Sequence, residues 1–468
     1  MAEKLHKYEE ARSFWQALLD FSKSHNNYKR YVDASIRLYI NTWRDDPKQS
    51  LKILNEALPI SEQHVPDLLP RIYNALGHNL NRLQLYKKAI GYFKKAMDLV
   101  PSDNLALKAI ILNNLGNSYM ENGDMTESKD CIIYSIGFRQ EIIDSAIEQE
   151  SLKIESARIG IGLSHELLGK LARYSGDLDE ADGEYTQAVS ILENTSNYSV
   201  RVTTLLERSE TYRRIARSKF EKNQFDVVNA YDEKAEKDIQ EAYDLCLRYG
   251  LLNLLDTISR RRGRLLHDRG YRSVDREKKI EYFALALKEF EDALRIARDT
   301  GDAQEELENL REIAFLADDH ADAIVKYETD NAKIKEEYVK LESYIGQFRE
   351  TLQKRSKEDR GLYNQKVFEA LLTLEMAAFL YARQELDEAL TLYLDAFVKL
   401  AKSPGYGVSN YLTYLPHLRR NLQNLKNPTL QKAWCDKIMI TWKKHKLDKT
   451  RYEMVSLINV HLLSIGKT

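Results

Sequence analysis

The sequence predicts an all-α chain folded as a solenoid of repeated helix pairs, and three observations carry that prediction. Apolar residues recur at helical spacing along most of the chain. Chain breakers are scarce, with 19 Gly and 8 Pro in 468 residues, which leaves little room for a β-rich or disordered reading. One paired-helix pattern returns at intervals. The 43% hydrophobic content supplies a continuous core. A stack whose units touch only their neighbours reaches this length without splitting into globular domains.

The pattern is clearest between Arg71 and Pro101. Tyr73, Leu76, Gly77 and Leu80 fall on one face of a first helix. Ala89, Phe93 and Ala96 fall on one face of a second, and Pro101 blocks its continuation. Small residues at Gly77 and Ala89 let the two helices approach closely. At these positions the stretch resembles a tetratricopeptide (TPR) repeat. The resemblance implies a right-handed α-α superhelix of TPR-like helix pairs closed by helical caps, with the first helix of each pair lining a concave face.

Taken in order, residues 1–46 read as an N-terminal cap of one or two amphipathic helices carrying Phe14, Trp15, Leu18 and Phe21, then Tyr31, Ile36 and Tyr39. Pro47 opens a helix whose Ser50, Leu54 and Ala57 repeat the second-helix spacing, so Tyr31–Glu62 reads as a degenerate first repeat. The solenoid proper is expected over 47–302, most regular over 70–193. Leu112, Leu115 and Gly116 pair with Ser128, Ile132 and Ser135, and Gly116 lies 39 residues after Gly77. Leu168, Gly169 and Ala172 pair with Ala181, Tyr185 and Ala188. Looser units follow at Tyr212–Ala242 and Gly263–Ala293. The wider steps, 53 and then 47 residues, exceed the roughly 34 of the commonest TPR form. They resemble the longer-helix variants of kinesin light chains and MalT-like sensor arms.

Residues 303–402 are expected to hold a degenerate helix at Leu307–Ala317, a long helix at 322–353 and a last helix pair around Met376–Ala396. Within the long helix Ile334, Tyr338, Leu341, Ile345, Phe348 and Leu352 form a heptad-like seam. It either lies against neighbouring helices of the solenoid or joins two copies as a homodimer across 334–352. SPGYG at Ser403–Gly407 is a loop. Residues 408–468 read as a C-terminal cap of three helices: Leu412–Leu425, Thr429–His445 and Lys449–Ile465.

Composition excludes several functions. Net charge is −2, so the whole molecule has no strong pull toward nucleic acid or acidic membranes. The three cysteines are far apart, form no CxxC pair and read as reduced residues of a cytoplasmic protein. No run of about 20 apolar residues is present to span a membrane, and MAEKLHKYEEARSFW has no signal-peptide layout. The ten histidines show no metal-ligand spacing. SIGKT at Ser464–Thr468 lacks the leading Gly of a phosphate loop, where His461 stands. GIG at Gly160–Gly162 has no preceding strand. Neither catalytic residues, metal nor cofactor is expected.

The TPR resemblance implies which first-helix positions face the groove. In the first full repeat these are Arg71, Asn74, His78 and Asn81. The second presents Ile110, Asn113, Asn117 and Met120, with Asn114 beside them, and the third Leu163, Glu166, Lys170 and Arg173. The fourth presents Glu210, Arg213, Arg217 and Phe220, and the fifth Thr257, Arg260, Arg264 and His267. Asparagine amides both donate to and accept from an extended backbone. Arginines pair bidentately with carboxylates or phosphates. The expected activity is therefore a protein-protein interaction scaffold or sensor that binds a partner segment or peptide with acidic groups. Further arginines between 201 and 276 (Arg208, Arg214, Arg261, Arg262, Arg269, Arg272 and Arg276) open a second reading, nucleic-acid binding by a basic wall. That reading lacks interleaved aromatic stacking platforms.

Overall fold

The computed structural model describes residues 2–445 except 43–45, 148–149, 328–330, 358–364, 403–417, 419–421, 423–424 and 426. The described residues form eighteen α-helices, two single-turn 3-10 helices at Pro66–Leu68 and Leu252–Leu254, and no strand. In chain order the α-helices are α1 Ala2–Ser24, α2 Tyr28–Thr42, α3 Pro47–His64, α4 Leu69–Arg82, α5 Tyr86–Leu99 and α6 Leu105–Asn122. There follow α7 Met125–Ser145, α8 Ser151–Ser175, α9 Leu178–Glu193, α10 Tyr198–Glu221, α11 Phe225–Tyr249 and α12 Leu255–Arg272. The last six are α13 Arg276–Thr300, α14 Ala303–Tyr327, α15 Asn331–Lys357, α16 Gln365–Ala382, α17 Leu386–Ala401 and α18 Pro428–His445.

Helix starts are written locally. Asp46, Asn104, Asp177, Asn197 and Asp275 each accept a hydrogen bond from a backbone amide two or three residues on, satisfying a donor that the first turn leaves open. Within pairs, close approach depends on small residues. A Cβ on Gly77 would stand 2.8 Å from the Phe93 ring, and one on Gly263 2.7 Å from Phe290. Each ring therefore packs directly on the backbone of the first helix, and Phe93 and Phe290 are fully buried.

Each helix packs antiparallel on the next, and successive first helices (α4, α6, α8, α10, α12, α14, α16) also pack on one another. The second helices do not pair to that extent. A layer whose members lie closer together is the inside of a curve, so the first helices form the concave face. The apolar core runs between the layers in successive clusters. One lies among α1–α6, one among α9–α12, and the largest runs from Phe283 to Trp442. Buried Trp434 and Trp442 of α18 cover the last pair.

The N-terminal segment is two helices, and α2 packs on α3. The structure corrects one expectation and decides between the two readings of another. The long helix at 322–353 is not continuous: α14 runs to Tyr327 and α15 starts at Asn331, which makes this region another helix pair. The heptad-like seam is internal, since Leu341, Ile345, Phe348 and Leu352 are buried among residues of α14, α16 and their neighbours. Those side chains have no apolar surface left for a second copy. Ile334 lies outside the described side chains. Of the three closing helices, only Thr429–His445 falls on described residues, as α18. Most of Leu412–Leu425 and all of Lys449–Ile465 lie outside them.

Candidate functional site

The two halves of the concave face differ in how their polar side chains are used. In the N-terminal half, the asparagines mainly tie one first helix to the next. Asn114 Nδ2 donates to Asn74 Oδ1 at 2.9 Å, and Asn81 Nδ2 donates to Ser118 Oγ at 2.7 Å. The Ser164 hydroxyl donates to Asn113 Oδ1 at 2.8 Å. His78 Nδ1 lies 2.5 Å from the Tyr39 hydroxyl, and Arg71 pairs with Asp33 at 3.2 Å. Asn81 is only 7% exposed and Met120 is fully buried, so both lie between helices and off the groove surface. Asn117 is half-buried and shows no hydrogen-bond partner among the described residues. Ile110 of the same helix and Leu163 of α8 remain 46% and 37% exposed.

In the C-terminal half the expected basic wall is an ion-pair lattice. Lys170 meets Glu121 at 2.9 Å, and Arg173 meets Glu207 at 2.5 Å while lying over the Tyr185 ring. Arg213 holds Glu210 bidentately at 2.8 and 3.0 Å and reaches Asp268 at 2.5 Å. Arg217 sits between Asp268 and Glu221 at 3.7 and 3.5 Å. Arg260 faces Glu305 at 2.7 Å and Glu308 at 3.8 Å, and Arg264 binds Glu312. The flanking arginines are paired too: Arg208 with Asp238, Arg214 with Glu210, Arg261 with Glu207 and Glu210, Arg262 with Glu236 and Glu289, and Arg272 with Asp232. Most partners come from a neighbouring helix pair, before or after, so the lattice couples α8, α10, α12 and α14. The expectation of unmatched positive charge over 201–276 is thereby corrected. Sequence reading missed the acids because they are distant in the chain: Asp268 is 55 residues from Arg213, and Glu312 is 48 from Arg264. Glu210, three residues before Arg213, was the available signal.

The electrostatics follow from burial against charge. Burial pushes Glu207 up, but Arg173 and Arg261 overcome it and hold the carboxyl at about 2. Burial also raises Glu312, which Arg264 and Arg311 bring down to about 2. Glu210 lies well below the usual range and Asp268 is lowered, in each case because several guanidinium groups outweigh burial. Two acids go the other way. Burial lifts Glu166 to about 7, only partly offset by the Thr204 hydroxyl, and lifts Glu305 to about 7 despite Arg260.

No group of His, Cys, Asp and Glu among the described residues is arranged to hold a metal ion, and no described helix is long and apolar enough to cross a membrane.

Residues 70–103 match the family model of the tetratricopeptide repeat. The curated proteins contain no match to the chain. Among solved structures, a Rap protein complexed with Competence and Sporulation Factor is 12% identical, covers 89% of this chain and 98% of its own, and superposes with a TM-score of 0.52. Aspartyl phosphate phosphatase F from Bacillus subtilis is 13% identical over 83% of this chain and 92% of its own, with a TM-score of 0.44. A human IFIT1 dimer with PPP-AAAA is 14% identical over 83% and 67%, with a TM-score of 0.42. The likeness to the Rap protein is one of fold: a helical-repeat solenoid.

Proposed function

We propose that this chain, a tetratricopeptide-repeat protein, is a non-catalytic, cytoplasmic interaction scaffold that takes an extended segment of a partner protein on the concave face of α4, α6 and α8. One observation carries the reading: on this stretch Asn117 of α6 keeps an amide with no partner among the described residues, while Ile110 of the same helix and Leu163 of α8 stay exposed. An extended peptide offers both things such a surface lacks, backbone donors and acceptors for the amide and alternating side chains for the apolar positions. From Arg173 onward, by contrast, the groove residues spend their charge on one another.

That pairing also weighs against the nucleic-acid reading, because phosphate neutralisation needs cations that are not already matched. Partner contact along the groove is tested by placing a photo-crosslinking residue at Ile110, and at the exposed Tyr134 of α7 as an outer-surface control. We expect Ile110 to capture one partner segment, and Asn117→Ala with Leu163→Ser to abolish that capture without lowering the melting temperature. Equal capture from both positions would sink the groove reading.

A further inference from the structure

Among the described residues, the buried arginines do not all find acids. Arg173, Arg213, Arg260 and Arg311 each face at least one carboxylate. Arg139 of α7, only 7% exposed, has no carboxylate within ion-pair distance among the described residues. A single nitrogen, Nη1, makes all its hydrogen bonds: to the Ser135 carbonyl at 3.4 Å, the Ser135 hydroxyl, and the Ser164 hydroxyl at 3.1 Å. Both hydroxyls have already spent their protons, Ser135 on the Ala109 carbonyl and Ser164 on Asn113, so each turns a lone pair toward the guanidinium. The head group is held in place while its Nε and Nη2 edge donates to nothing among the described residues.

Gly160 makes this placement feasible. A Cβ there would stand 2.0 Å from Arg139 Nε, so only bare backbone admits the guanidinium against α8. Burial pulls Arg139 down to about 10, which still leaves it charged at neutral pH. A buried cation without a counter-ion is costly, and a well-packed apolar side chain would avoid that cost. The unused edge presents two adjacent N–H groups, the fork that matches the two oxygens of a carboxylate. On its other side, Nη1 links the guanidinium through Ser164 of α8 to Asn113 of α6.

We propose that Arg139 is a carboxylate-binding site in the floor of the groove, receiving an acidic side chain or terminal carboxylate of the bound segment. The source of the carboxylate rests on the scaffold reading above; the site itself does not.

The test is thermal melting of the full chain at pH 7.4 and constant ionic strength, with chloride replaced stepwise by N-acetylglycine, by N-acetyl-aspartate α-amide, or by inorganic phosphate. We expect either carboxylate to raise the wild-type melting temperature by about 1–2 °C at saturating concentration, the better of the two naming the source. Arg139→Met should melt at or above the wild type in chloride and show no carboxylate-dependent rise. A wild type that does not respond, a response to phosphate alone, or an Arg139→Met response equal to wild type would each overturn the proposal. Should Arg139→Met fail to fold, Gly160→Ala decides, because its methyl displaces the guanidinium while keeping the charge: loss of the rise supports the site, and an unchanged rise refutes it. Loss of the anion response with Ile110 crosslinking intact would remove this site alone. Loss of crosslinking with the anion response intact would remove the scaffold reading alone.

Discussion

Arg213 shows how a single residue can read differently in the chain and in the fold. Its position on the first helix of a repeat, with other arginines around it, suggests a hand extended to a ligand. In the structure it grips Glu210 and Asp268, both nearly devoid of solvent contact. Removing one partner of a buried ionic cluster strands the others, so Arg213→Ala should destabilise the protein by about 3–5 kcal/mol in urea titration. A loss below about 1 kcal/mol would mean the pairs are no better than surface ones. The asparagines were legible as special because Asn is a poor helix former with little local reason to sit mid-helix. Their division between inter-helix bonds (Asn74, Asn81, Asn113, Asn114) and an amide unpaired among the described residues (Asn117) was not legible, since it depends on residues about 40–50 positions away.

For the helix pair, the sequence pattern was a reliable guide. The spacing Gly77–Ala89–Phe93 encodes a ring packed on bare backbone, and the structure places Phe93 there. Gly77→Leu should therefore overfill the contact and cost about 1–3 kcal/mol. Adding Phe93→Ala should recover part of that loss, a coupling visible in a double-mutant cycle. Strict additivity of the two changes would show that the ring and the glycine do not bear on one another. The seam in α15 taught the opposite lesson: a heptad-like stripe specifies that something covers it but not whether the cover is another copy or the same chain. Here Leu341, Ile345 and Phe348 face their own solenoid.

Across the whole molecule, the ion-pair lattice gives stability a two-sided pH dependence. Glu207, Glu210, Glu312 and Asp268 ionise below their ordinary range when folded. Their contribution is complete above the unfolded carboxylate range and is lost as pH falls from about 4.5 toward 2. Glu166 and Glu305 hold their protons up to about 7, so their sign is reversed: stability declines as pH rises from about 4.5 to 7 and is level beyond. Urea midpoints across pH 2–9 should show a steep acid limb and a shallower fall toward neutrality. Glu166→Gln should flatten the neutral limb and raise the melting temperature at pH 8. A neutral limb unchanged in that variant would refute the assignment of a buried, neutral Glu166.

Sequence alone determined the all-α class, the pairing of adjacent helices, the glycine–ring contacts and the TPR character of residues 70–103, because each depends on side chains within a few turns of one another. Only the tertiary structure decided which arginines are matched, that α15 folds back on its own chain, and that Arg139 stands buried without an acid among the described residues. Those outcomes depend on distances between residues tens of positions apart, and no local spacing records them.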